Sequence, residues 1–138
     1  MGNRVHPTTV RNGIADYVVD LVDAGASAGF IAFFTSTYTA DLAAALGTAA
    51  ELARLTMSDP AFAAAGSGQS AANSITADTD VSAGTVASFG VFDSNSNLVF
   101  KGDVTSDDVG TGSIQLSSVD LGSGDTLSLS SLTYTAPA

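Results

Sequence analysis

From Ala83 to Thr135 the chain is a train of short stretches in which apolar and polar residues alternate, broken every few residues by Gly, Asp, Ser or Asn. A period of two with frequent turn residues is the signature of half-buried strands joined by tight turns. This stretch of the chain must therefore form sheet. It holds no cysteine, no histidine and one cation, Lys101. A segment of that kind makes a rigid shaped surface and offers little for acid, base or nucleophile chemistry.

Within the train, Val86 to Phe92 and Leu98 to Val104 flank the turn Asp93-Ser-Asn-Ser-Asn97, and a hairpin is expected there. Two later segments echo one another: Ile114-Gln-Leu-Ser-Ser-Val-Asp-Leu121 and Leu127-Ser-Leu-Ser-Ser-Leu-Thr-Tyr134. In each, the apolar parity switches across the Ser-Ser pair. A one-residue slip turns a strand's apolar face to water, so the switch demands a bulge or bend. The expectation is a terminal hairpin, paired through Gly122-Ser-Gly-Asp125, that bends at Ser117/Ser118 and Ser130/Ser131.

Upstream the period changes. Val10, Ile14, Tyr17, Val18, Leu21 and Val22 fall on one stripe of a helix, with Arg11, Asn12, Asp16 and Asp20 around the other side. A helix over residues 9–23 follows, with Thr8 or Thr9 as N-cap, Gly25 in the left-handed position past its end, and the stripe facing the core. Residues 1–8 form a flexible N-terminal arm, Met1 to His6 having nothing to bury. Phe30 to Thr37 is aromatic and β-branched and reads as a buried strand. Residues 39–65 fit either a helix or a strand up to Pro60, and Ala64 to Ala72 reads as a flexible loop. The fold class is mainly β: an antiparallel β-sandwich or jelly-roll-like body, residues 9–138, with one N-terminal amphipathic α-helix.

Composition narrows the partners. The 138 residues carry 14 acidic side chains against four cations (Arg4, Arg11, Arg54, Lys101), a net charge of -10. Nucleic acids and anionic membranes require clustered Lys and Arg, so neither is an expected partner. The longest apolar run, Ala24 to Phe34, is too short to span a bilayer. Asp16, Asp20 and Asp23 interrupt any apolar leader region. Without cysteine there is no disulfide or thiolate metal site, and stability must come from packing or oligomerisation.

No catalytic constellation emerges. Gly25-Ala-Ser27-Ala-Gly29 satisfies the G-x-S-x-G pattern of a hydrolase elbow, which needs a strand before it and a helix after. Here the order is reversed, and the only histidine, His6, lies upstream in the arm. Asp93, Asn95 and Asn97 imitate the start of a calcium loop, but the glycine and glutamate it needs are replaced by Leu98 and Val104. Asp103, Asp107 and Asp108 read as solvated turn acids. The pairs Gly66/Gly68, Gly110/Gly112 and Gly122/Gly124 lack the third glycine and the lysine of phosphate loops. No enzyme, cofactor or metal is expected.

The order of these segments also resembles a known family. An aliphatic-striped helix is followed by an aromatic strand and by Leu-Ala-Arg-Leu-Thr-Met-Ser-Asp-Pro-Ala-Phe (Leu52 to Phe62). Then come Ala72-Asn-Ser-Ile-Thr-Ala77, Val86 to Asp93, Leu98 to Asp103, and a terminal Leu-Thr-Tyr-Thr-Ala-Pro-Ala. Together they resemble small virion structural proteins of tailed bacteriophages. The resemblance implies a strand over Leu52 to Met57, with a loop or short helical insert over Ala40 to Ala50. It also implies a capsid decoration (cement) protein on the outer capsid surface, assembled in the host cytoplasm and bound to the major capsid protein or other virion proteins. A homo-oligomer follows, a trimer being favoured, with Arg4, Val5, His6 and Arg11 as the capsid-attachment arm. The alternatives are a head–tail, collar or tail component, and a carbohydrate- or cation-binding β-sandwich module.

Overall fold

A computed structural model describes residues 5–35, 51–106 and 114–137. The expectations for residues 1–4 of the arm, for residues 36–50, for Asp107 and Asp108 and for Gly110/Gly112 lie outside the described residues. The chain is mainly β with one N-terminal helix. The helix α1 spans Thr8–Asp20 and runs into a single 3-10 turn, Leu21–Asp23. The strands follow as β1 (Phe30–Phe34), β2 (Glu51–Thr56), β3 (Gln69–Ala71), β4 (Gly84–Thr85), β5 (Ser88–Phe92), β6 (Leu98–Ser106), β7 (Ile114–Leu116), β8 (Asp120–Leu121) and β9 (Thr133–Thr135).

Five strands form one sheet in the order β2-β1-β5-β6-β7, antiparallel except for the parallel β6·β7 pair. Two short antiparallel ladders, β3·β9 and β4·β8, complete the strand pairing among the described residues. Alternation along the central strands divides the apolar residues between two faces. Ile31, Phe33, Ala53, Leu55, Phe89 and Val91 point into the main core, which Val19 and Val22 of the helix region also enter. Phe30, Ala32, Phe34 and Phe92 form a second buried cluster on the opposite face, joined by the half-buried Leu98. Burial on both faces explains why β1 reads as an unbroken apolar run.

The β5–β6 hairpin forms as its alternation predicts. Its turn closes through the buried Asp93, whose Oδ1 accepts the backbone N–H of Asn95 and of Asn97, both at 2.9 Å. The ambiguous residues 51–56 are a strand. Ala64 to Ala72 is more ordered than a flexible loop. The Gly66 and Gln69 backbones bond one another in both directions, and Ser67 and Gly68 both have positive φ (54° and 75°). That is the two-residue turn whose twist matches a hairpin.

The terminal hairpin does not form. The segment before Ser117-Ser118 pairs with β6, and the one after it pairs with β4. Leu127, before Ser130-Ser131, bridges Asp78, and Thr133–Thr135 pairs with β3. Each Ser-Ser pair is where the backbone leaves one partner strand and joins another. The parity switch therefore marks a change of ladder, and the apolar residues on both sides still reach the same core.

Two helix-terminus expectations also change. Pro7, not a threonine, precedes the first turn, and its carbonyl accepts the N–H groups of Val10 and Arg11. Past the end, Ala24 bonds back to the Leu21 carbonyl, closing the 3-10 turn without a left-handed Gly25.

Candidate docking face

The helix sits on the body by a mixed face of small or aliphatic residues and polar anchors. Asn12, Ala15, Asp16, Val19, Val22 and Asp23 recur at helical spacing and form the inward face. Ala15, Val19 and Val22 are buried. The three polar residues accept backbone N–H groups from the irregular stretch between β2 and β3. Asn12 Oδ1 bonds Gly68 at 2.7 Å, Asp16 Oδ1 bonds Ala65 at 2.7 Å, and Asp23 Oδ1 bonds Ala61 at 3.0 Å. A loop crossing a helix has amides without ladder partners, and a half-buried amide left unbonded costs about 1–3 kcal/mol. Short acidic and amide side chains on the helix supply the missing acceptors.

This orientation turns the predicted core stripe outward. Val10 (43% exposed), Tyr17 (69%) and Leu21 (41%) face solvent, with Ile14 and Val18 half-buried beside them. With Val5 at the head of the helix (80%), these are the exposed large hydrophobics among the described residues. Positions 10, 14, 17 and 21 are spaced four, three and four, the seam of a helix that packs lengthwise against another surface. Only Val22 of the expected stripe lies inside. The hydrophobic pattern was legible, but not the side of the helix that the body would take.

The other sequence candidates occupy structural places. Ser27 is exposed, and its backbone N–H donates to Ser94 Oγ at 3.3 Å. A Cβ on Gly29 would lie 2.5 Å from the Phe92 carbonyl oxygen and 2.9 Å from that of Val22. The G-x-S-x-G passage is thus a small-residue junction threaded between the helix end and β5. In the turn Asp93–Asn97, the second Asp93 oxygen accepts Asn97 Nδ2 at 3.0 Å, so the carboxylate is committed to the turn. Gly122 to Asp125 is a closed turn in which Asp125 Oδ2 accepts the Gly122 N–H. Asp103 stands exposed on β6. Among the described residues no group of three metal-ligating side chains occurs, and no helix is long and apolar enough to cross a membrane.

Arg54 and Arg11 are each held on the body. Arg54 forms an ion pair with Glu51 (Nε–Oε1 2.7 Å) and lies 4.1 Å from the centre of the Phe30 ring. That pair holds the guanidinium firmly protonated, raising its pKa against the opposing effect of burial. Arg11 is drawn onto the body: it donates to the Ala136 carbonyl at 3.4 Å and packs over Gly68, where a Cβ would lie 2.7 Å from Cζ. Of the expected arm residues, Val5 is exposed, His6 half-buried, and Arg11 tied down, while Arg4 lies outside the described residues. Comparison with family models, curated proteins and solved structures finds no match to this chain.

Proposed function

We propose that this chain is a non-enzymatic structural protein of a phage particle, of the decoration type, which docks on the capsid shell through the outer face of α1. The observation that carries the reading is the strip of exposed Val10, Tyr17 and Leu21, with the half-buried Ile14 between them, on a helix whose inner face of Ala15, Val19 and Val22 is pinned by Asn12, Asp16 and Asp23. A helix normally buries its apolar stripe in its own core. This one buries Ala15, Val19 and Val22 and still leaves a second apolar strip outside, and such strips mark contact surfaces. The rest of the molecule supports a scaffold role: a doubly buried central sheet and turns closed by their own side chains. Its partner is the major capsid protein, its place the outer capsid surface, and its assembled form a homo-oligomer, a trimer at capsid three-fold positions. A head–tail or tail component uses the same surface and differs in copy number. A carbohydrate- or cation-binding module would present its site elsewhere.

Particles assembled with a Tyr17→Asp/Leu21→Asp double variant test the assignment. The variant is expected to fold with unchanged thermal stability and to lose occupancy on the particle. Wild-type occupancy would remove the helix face from the interface. A copy number in the hundreds identifies decoration, whereas a single ring of copies identifies a neck or tail part.

A further inference from the structure

The edge of the sheet carries a second surface with a different chemistry. β7 is the last strand of the sheet among the described residues, and beyond it lies a trough. Two depressions of about 450 and 320 Å³ meet at Gln115, Leu129 and Ser130. One wall is Ile114 to Ser118 and the other is Thr126 to Thr133, two segments that do not pair with each other. The second wall is anchored at its ends only. Leu127 exchanges backbone bonds with Asp78, and the Leu132 carbonyl accepts the N–H of Ala72. Between them, Ser128, Leu129, Ser130 and Ser131 make no backbone hydrogen bond among the described residues.

The trough has an apolar floor and a polar, acidic rim. Ile114, Leu116, Leu127 and Leu132 are buried beneath it and Leu129 is half-buried, whereas serines line the edges and Asp120 and Asp125 stand at one end. Peptide groups with no partner beside a strand-wide apolar slot are what an added strand would satisfy. Main-chain bonds supply affinity in that mode, and alternate side chains supply fit.

We propose that this trough accepts an extended strand, and that the strand is the N-terminal arm, residues 1–6, of a second copy of the chain. Length fits: six extended residues span roughly 20 Å, which the eight residues of the longer wall, Thr126 to Thr133, can accommodate. Alternation fits as well. In a strand Met1, Asn3 and Val5 share one side and Gly2, Arg4 and His6 the other. Met1 and Val5 would meet the leucine floor while Arg4 meets Asp120 and Asp125, in a protein with few other cations. The donor is another copy because Val5, 80% exposed, stands outside the trough of its own chain. A head-to-tail contact of this kind closes into a ring when its rotation allows, and a trimer is one such closure. The inference does not depend on the phage reading and would hold for any larger partner of the helix face.

Sedimentation of the full chain over a range of concentrations tests the contact. The intact chain is expected to self-associate, and both deletion of residues 1–6 and Leu129→Arg are expected to leave a folded monomer. Because Leu129→Arg touches the core margin, a second measurement uses the arm-deleted chain, which retains every strand. A synthetic peptide of residues 1–7 added to it should slow amide exchange at Ser128 to Ser131 at least tenfold. An Arg4→Ala peptide should bind more weakly and lose its salt dependence. An intact chain that stays monomeric, oligomers that survive arm deletion, or no protection by the peptide would each overturn the proposal. Protection of Ser128 to Ser131 in an intact monomer would overturn it too, since the arm would then fill its own trough.

Discussion

The Asp16 Oδ1 accepts the Ala65 N–H at 2.7 Å, and that bond helps pin the inner face of α1, where Ala15, Val19 and Val22 are buried. Tyr17, the next residue, is 69% exposed as a consequence. Asp16 faces the body and Tyr17 faces solvent, and mutation distinguishes the two roles. Asp16→Ala leaves the half-buried Ala65 N–H without its acceptor and is expected to cost about 1–3 kcal/mol. Asn12→Ala, which orphans the Gly68 amide, should behave alike. Tyr17→Ser removes a solvent-facing ring and should stay within about 0.5 kcal/mol of wild type. Urea denaturation midpoints give the ranking. A large loss for Tyr17→Ser beside a small one for Asp16→Ala would reverse the helix orientation.

Gly29 and Ser27 belong to one short passage and are expected to respond oppositely. A methyl group at position 29 has no room between the Val22 and Phe92 carbonyls, two backbone atoms that cannot turn aside. Gly29→Ala should therefore cost roughly 1–3 kcal/mol, the range for overpacking. Ser27→Ala keeps the backbone bond to Ser94 Oγ and should be neutral. Equal stability of the two variants by thermal melting would show that this junction is not tight.

Asp93 is 5% exposed, and its two carboxylate oxygens accept three hydrogen bonds inside one five-residue turn. Asp93→Ala leaves the Asn95 and Asn97 amides without their acceptor and opens the β5–β6 hairpin. The expected loss is about 2–3 kcal/mol. Asp93→Asn retains an oxygen for one amide pair and should recover part of it. Hydrogen exchange at Asn95 and Asn97 reads the effect locally. Unchanged exchange in Asp93→Ala would remove the turn role.

Local pattern carried the parts of this fold that depend on neighbours in sequence. The β5–β6 hairpin was legible because its alternation and its Asp/Asn turn agree, and helix α1 because its spacing is regular. What failed depends on distant partners. The facing of α1 is decided by amides at Ala61, Ala65 and Gly68, the last two from a stretch, Ala64 to Ala72, that reads as a flexible loop. The Ser-Ser parity switches were visible, but their cause, a change of partner strand, is set by β3, β4 and β6 elsewhere in the chain. The same holds for the docking face. Its residues were found as a stripe, and only the polar anchors on the opposite side showed that the stripe looks outward.

The last of those anchors, Asp23, yields a pH test. Burial is the main influence on its carboxyl and raises its pKa above the ordinary 3.8, with help from the nearby Asp59 and Asp20 charges. The Ala61 N–H opposes this by bonding the charged form, but does not outweigh it. A folded-state pKa above the unfolded value means that the folded chain binds this proton more tightly. The ionised group is therefore a net cost to folding above its folded pKa. That cost is relieved as pH falls through the folded pKa toward 3.8. Asp23→Asn removes the charge and keeps an oxygen for Ala61, so it should be more stable than wild type at pH 7, with a margin that shrinks by pH 4. Asp23→Ala loses the acceptor as well and should be less stable than Asp23→Asn at either pH. The comparison is of variant with wild type at each pH, because the other carboxylates of this acidic chain titrate in both and cancel. A margin for Asp23→Asn that grows on acidification would mean that the bond to Ala61, rather than burial, governs the group.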